Sequence, residues 1–159
     1  MKASYVIMGV SGSGKSTIGS LWAQETGLPF MDADDYHPKA NVDKMSAGIP
    51  LTDADRWPWL EKLANVIREQ ESGCVLACSA LKFAYRDALA QNNELVFIYI
   101  DAPEDLILER MKTRKHFMPP SLLRSQFETL EIPDEAVRVD GTLTPEEIVG
   151  FLSGEFLAG

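Results

Sequence analysis

The sequence predicts an α/β protein, a parallel sheet covered by helices on both faces. Three observations predict it. Short apolar runs alternate with helix-patterned segments along most of the chain. The runs are short and apolar, as strands buried inside a parallel sheet are. The chain has 159 residues, 45% hydrophobic and 25% charged, which suits one domain with a full core and leaves no room for a second.

The elements follow in order. "SYVIMG" is a first strand, Lys15 to about Thr26 a helix, and "LPFMD" a short second strand. "WLEKLANVIREQ" is an amphipathic helix, "CVLAC" a buried strand, "FAYRDALAQ" a helix, "LVFIYI" a strand and "EDLILERMKTR" a helix. The alternation then breaks at "KHFMPPSLLRSQFETLEIP", where a Pro-Pro step precedes a second short helix with Ser121 as its expected cap. A last strand, "AVRVD", and a last helix, "PEEIVGFLSGEF", close the chain, with Thr144 as cap and Pro145 at the first helical position. No internal repeat, low-complexity tract or linker interrupts this order.

Charge and cysteines narrow the partners. The 15 Lys and Arg against 24 Asp and Glu leave a formal charge of −9, which argues against nucleic acid or an anionic membrane. An anionic ligand must then meet a local cluster of cations. No apolar stretch approaches the roughly 20 residues of a membrane helix, and the apolar N-terminus carries no cleavage pattern, so a cytoplasmic protein is expected. On a strand, Cys74 and Cys78 would stand roughly 13 Å apart, too far to share a metal or a disulfide. They read as buried structural thiols.

Between the first strand and first helix, Gly9, Val10, Ser11, Gly12, Ser13, Gly14, Lys15 and Ser16 match G-x-x-x-x-G-K-[ST] in full. Glycines let successive backbone N–H groups turn toward a phosphate, and the helix that follows adds its positive end. Lys15 suits the β- and γ-phosphates, Ser16 suits Mg²⁺, and Thr17 continues the loop. ATP and Mg²⁺ are the expected cofactors. The chain holds neither the Asn-Lys-x-Asp nor the Asp-x-x-Gly motif expected of a GTPase switch, and it is short for an ATPase motor. A small kinase remains, with a non-catalytic ATP-binding module as the alternative from another class.

Two places offer carboxylates. Asp101 ends an apolar strand, but Pro103 and Glu104 after it make a capping-box pattern, so it is read as a helix cap. In "FMDADDYHP", Asp32 and Asp34 end the second strand, where ligands of an open α/β sheet gather. Asp32 is the candidate metal carboxylate and Asp34 the candidate proton acceptor.

"GVSGSGKST", "DADDYHPKANVDKMSAGIPLTDADRWPWL", "CSALKFAYRDAL" and "HFMPPSLLRSQFETLEIP" together resemble the gluconate kinases of the P-loop kinase superfamily, from about Gly9 to Pro133. The resemblance implies phosphorylation of D-gluconate at its 6-hydroxyl by ATP. It implies a three-layer P-loop kinase fold with a five-stranded parallel core, a helical lid insertion at about 112–133 in a single domain, and commonly a homodimer. A shikimate-like or nucleotide kinase is the alternative within the class.

An anionic sugar acid needs cations. Arg56, in "DADRWPW", stands at a helix start where the macrodipole disfavours it. Lys82 and Arg86, four residues apart in "SALKFAYR", are expected on one helical face pointing at one ligand. An Arg fork grips a carboxylate bidentately, and Lys adds a point charge. His37 is a candidate partner for a sugar hydroxyl. The run "RMKTRKHFM" crowds Arg110, Lys112, Arg114, Lys115 and His116, and Arg110 and Arg114 resemble the lid arginines that close over ATP in related kinases. His116 joins the expected substrate set. The adenine is expected near Arg110 and the "VDGT" loop, as in related kinases.

Overall fold

A computed structural model describes residues 3–112 and 120–157. Five strands, β1 (Ser4–Met8), β2 (Phe30–Asp32), β3 (Val75–Ala77), β4 (Leu95–Asp101) and β5 (Val137–Asp140), form one sheet in the order β2-β3-β1-β4-β5, with every neighbouring pair parallel. The helices are α1 (Lys15–Thr26), α2 (Lys39–Ser46), α3 (Asp53–Arg68), α4 (Phe83–Leu89), α5 (Glu104–Met111), α6 (Pro120–Thr129) and α7 (Pro145–Phe156). A 3₁₀ turn occupies Ala33–Tyr36.

Successive residues of the central strand point to opposite faces. Val6 and Met8 join a core with Trp59, Leu60 and Leu63 of α3, Tyr85 of α4 and Ile107 of α5. Ile7 between them joins the opposite core, with Ile18 and Trp22 of α1 and Ile148 and Leu152 of α7. Both sheet faces are therefore covered. Cys74 and Cys78 are free and buried. Burial pushes the Cys78 thiol up to about 12, which keeps it protonated and inert.

The chain leaves β1 at the point where the sheet order turns, with β3 on one side and β4 on the other. Ligands of open parallel sheets gather at that switch point. No helix among the described residues is long and apolar enough to cross a membrane.

Most elements match their sequence-based expectation, and four details differ. α3 begins at Asp53 because Thr52 and Asp55 form a capping box there. α2 was not expected: its eight residues bury only Asn41, which leaves no apolar stripe to reveal it. Ser121 lies inside α6 instead of preceding it. The N-cap of α5 is Pro103 and makes no side-chain bond, while Asp101 accepts from Arg138 Nε at 2.9 Å and Nη2 at 2.5 Å. Asp101 is thus one half of a surface ion pair and not a cap; Arg138 on the neighbouring strand is the nearer donor.

Candidate active site

The loop between β1 and α1 is built from backbone. Gly12 has φ 81°, and a Cβ there would stand 2.8 Å from Ile107 Cγ2 and 3.0 Å from Met111 Cε, so the loop lies directly against α5. Gly14 has φ 101° and is the N-cap of α1, so the positive end of that helix opens onto the loop. Ser13 folds back inside the loop, its Oγ donating to Val10 O at 2.7 Å. Lys15 Nζ donates to the same carbonyl at 2.9 Å.

Asp32, the last residue of β2, joins this loop to the acidic turn. Its Oδ2 accepts from Ser16 Oγ at 2.7 Å, and its Oδ1 accepts from Asp34 N–H at 3.0 Å. The expectation that Asp34 also ends the strand is corrected here. Asp32 caps the 3₁₀ turn, and Asp34 stands within that turn. Its side chain is 81% exposed and lines a cavity. Protein packed around the turn desolvates the Asp34 carboxyl and raises it above its ordinary range; Lys15 opposes the shift, and Asp32 and Asp35 add to it.

Beside Asp34, the His37 ring stacks on Trp59, with centroids 4.0 Å apart and planes at 17°. Trp59 is itself fixed by its Nε1–H on Ala33 O at 2.8 Å. Burial, then the Arg56 charge, lowers the His37 pKa to about 4, so the ring is neutral at pH 7.

The three expected acceptor cations part company. Arg56 lines the cavity, and its Nη1 donates to Leu51 O and to Tyr85 Oη, both at 2.9 Å. Lys82 and Arg86 do not line it. Lys82 is the N-cap of α4, with extended backbone, so the helical i,i+4 geometry that would have aligned it with Arg86 does not apply. Its ammonium pairs with Asp53 at 3.0 Å, and the Tyr85 hydroxyl donates to the same carboxylate. Arg86 is buried. Its guanidinium donates to Ala80 O at 2.6 Å and Glu131 O at 2.9 Å. Ala80 holds φ 46°, a conformation a non-glycine residue adopts at a cost of about 1–2 kcal/mol. Arg86 therefore pins a strained turn and ties it to the chain leaving α6.

Arg110 Nη2 donates to Gly141 O at 2.8 Å, which brings α5 together with the "VDGT" loop. Arg114 and His116, like the Pro-Pro step's first residue, lie outside the described residues.

Lys15, Asp32, Asp34, His37 and Arg56 line one cavity of about 500 Å³, a volume ordinary for small-molecule sites, whereas Arg110 does not line it. The phosphate loop, the acidic turn and Arg56 line it together with α2 and α6. Gln126 of α6 was not anticipated. Its Oε1 accepts from Ser11 N–H at 2.7 Å and its Nε2 donates to Ser11 Oγ at 3.1 Å, so α6 touches the phosphate loop directly. Its only sequence signal was the break that placed a helix after the Pro-Pro step. Val42 and Met45 of α2 were missed with their helix.

Known proteins resemble this chain in sequence and in fold. The sequence profile of the family described as shikimate kinase matches residues 11–135. The thermosensitive gluconokinase of Escherichia coli is 48% identical over 147 residues, covering 86% of this chain and 78% of the relative. The gluconokinase of Gluconobacter oxydans is 44% identical over 161 residues, covering 96% and 90%. The crystal structure of a gluconokinase from Sinorhizobium meliloti superposes with a TM-score of 0.87 at 42% identity, covering 99% of this chain and 98% of that one.

Proposed function

We propose, from the premise that this chain belongs to the shikimate kinase family and within it to the gluconokinases, that it transfers the γ-phosphoryl group of ATP to the 6-hydroxyl of D-gluconate, giving 6-phospho-D-gluconate and ADP. One observation carries the reading. A phosphate loop with its lysine, a carboxylate of raised pKa and an arginine line the same cavity.

Each group has a task there. The backbone from Gly9 to Thr17 and the Lys15 ammonium bind the ATP phosphates and stabilise charge as it spreads over the phosphoryl oxygens. Asp34 accepts the proton of the attacking hydroxyl, and its raised pKa makes it a better base than an ordinary surface aspartate. Arg56 meets the gluconate carboxylate with its fork, and His37 meets a hydroxyl. Among the described residues, the carboxylate contact rests on Arg56 and not on Lys82 or Arg86, which are spent on Asp53 and on backbone carbonyls.

Ser16 and Asp32 fit Mg²⁺. They offer one hydroxyl and one carboxylate oxygen 2.7 Å apart at the mouth of the loop, and Mg²⁺ takes few protein oxygens because it keeps waters and phosphate oxygens. When bound, Mg²⁺ neutralises charge on the β- and γ-phosphates. Arg110 and Arg114 serve the nucleotide side and His116 the acceptor, within a single domain that carries a lid insertion at about 112–133. The protein works in the cytoplasm as a homodimer, a state that light scattering measures.

A coupled assay of ADP formation over a panel of sugar acids, shikimate and nucleoside monophosphates tests the reading. Gluconate should be the preferred acceptor, and Lys15→Ala should abolish turnover in a chain that stays folded. Preference for shikimate or a nucleotide, or ATP binding with no acceptor turned over, would contradict it.

A further inference from the structure

Asn41 takes no part in the chemistry assigned so far, yet it is 2% exposed and spends its amide nitrogen on two partners. Nδ2 lies 3.0 Å from Asp55 O and 3.2 Å from His37 Nδ1. A backbone carbonyl only accepts, which fixes the nitrogen end of the amide on that side. The second hydrogen of Nδ2 then points at His37 Nδ1, which must be the bare acceptor nitrogen of the ring. A proton on Nδ1 would set two N–H donors against each other.

We propose that Asn41 is a positioning residue that holds His37 in the neutral Nε2–H tautomer, so that the ring N–H and the Asp34 carboxylate together read one hydroxyl of the acceptor. The substrate half of this rests on the gluconate kinase reading; the tautomer half does not. His37 Nε2 stands 3.7 Å from Asp34 Oδ1, too far for a direct hydrogen bond. A donor and an acceptor are thereby held side by side at the cavity wall. A hydroxyl is the group that satisfies both, since it accepts with its oxygen and donates with its hydrogen.

The ring has little freedom to offer anything else. Trp59 covers its face, and Trp59 is bonded to the turn that carries Asp34. The groups that act on it are Asn41 from α2, Asp34 from the 3₁₀ turn, and Trp59 and Arg56 from α3. Burial and the Arg56 charge both oppose a cationic ring. A protonated ring would offer a second donor to Asn41 and an ion pair to Asp34, and the hydroxyl-shaped gap would close.

Long-range ¹H–¹⁵N spectra of the ring test this in the full chain. The sequence holds two histidines, His37 and His116, and a His37→Gln variant assigns the signals. At pH 7 the wild type should show an unprotonated Nδ1 and a protonated Nε2, and gluconate should shift the Nε2 signal while ATP alone does not. Asn41→Asp keeps the shape but turns the donor into an acceptor. It should drive the proton onto Nδ1 and raise the KM for gluconate by about tenfold or more, with the KM for ATP within about twofold. A wild-type ring that carries its proton on Nδ1 or is charged at pH 7 overturns the proposal, and that spectrum decides even where the variant does not fold. A reversed tautomer with unchanged gluconate KM overturns the hydroxyl-reading half. A wild type with the expected tautomer and no gluconate turnover overturns the substrate reading and leaves the tautomer standing.

Discussion

The phosphate loop and the cation cluster are both runs of short sequence, and they translate into structure differently. In the loop, function comes from backbone: glycine positions and spacing set where the N–H groups go, and the spacing is itself the geometry. In the cluster, function comes from where long side chains point, and distant partners decide that. Arg56 reaches the cavity, Lys82 goes to Asp53, and Arg86 turns inward to carbonyls at Ala80 and Glu131. A motif written in backbone is readable in one dimension. A motif written in side chains is readable only once its competitors for hydrogen bonds are known.

That contrast can be broken most severely at the acidic turn beside the loop. Asp34→Asn removes the proposed proton acceptor and should lower kcat by about 10²–10⁴-fold with ATP binding preserved. In the wild type, kcat should fall as pH drops through the raised Asp34 pKa, because the protonated acid accepts nothing. A variant with normal turnover would mean the turn is only a solvated surface.

Arg86→Lys sharpens the other side. It removes a fork from two buried carbonyls, and losing such bonds should cost about 1–3 kcal/mol of stability, lowering Tm by about 2–4 °C for each kcal/mol. Unchanged thermal stability would return Arg86 to the ligand side of the ledger.

A smaller effect is expected from His37. Its pKa is 6.5 in a free state and about 4 in the fold, so between those values the unfolded chain binds more protons. Stability from this residue is present above pH 6.5 and is lost as pH falls toward 4. Thermal melts over that range should show a shallower loss in His37→Gln than in the wild type. Least of all should follow from Asp101→Asn, which loosens an exposed ion pair and should leave turnover within about twofold. A dead Asp101 variant would move the catalytic carboxylate from the 3₁₀ turn to the end of β4.

Much of the fold was legible, because the apolar runs and the capping residues carry local physics. Thr144 and Pro145 open α7 as their chemistry predicts, and α1 spans Lys15–Thr26 as its pattern does. The unread parts share a cause. α2 buries only Asn41, so it has no periodic signature, and Asp101 has a sequence neighbour that looks like a capping partner but a spatial neighbour, Arg138, that binds better. Gln126 reaches Ser11 across 115 residues of chain, a contact no local pattern encodes. Of the candidate site, the loop and Asp32 stand together where the sequence places them, whereas the partners that Lys82 and Arg86 take were not readable.

The central claim is that the cavity receives an anionic polyol with Arg56 on its carboxylate, while Arg86 belongs to the fold. Isothermal titration of gluconate and of neutral glucose into the wild type, Arg56→Lys and Arg86→Lys measures it directly. Gluconate should bind the wild type well and glucose poorly, since a neutral sugar displaces water from the Arg56 charge without supplying an anion in return. Arg56→Lys should weaken gluconate by about tenfold with ATP affinity nearly unchanged, and the folded Arg86→Lys protein should bind gluconate more nearly as the wild type does. Equal affinity for the two sugars, or a loss of gluconate confined to the Arg86 variant, would contradict the account.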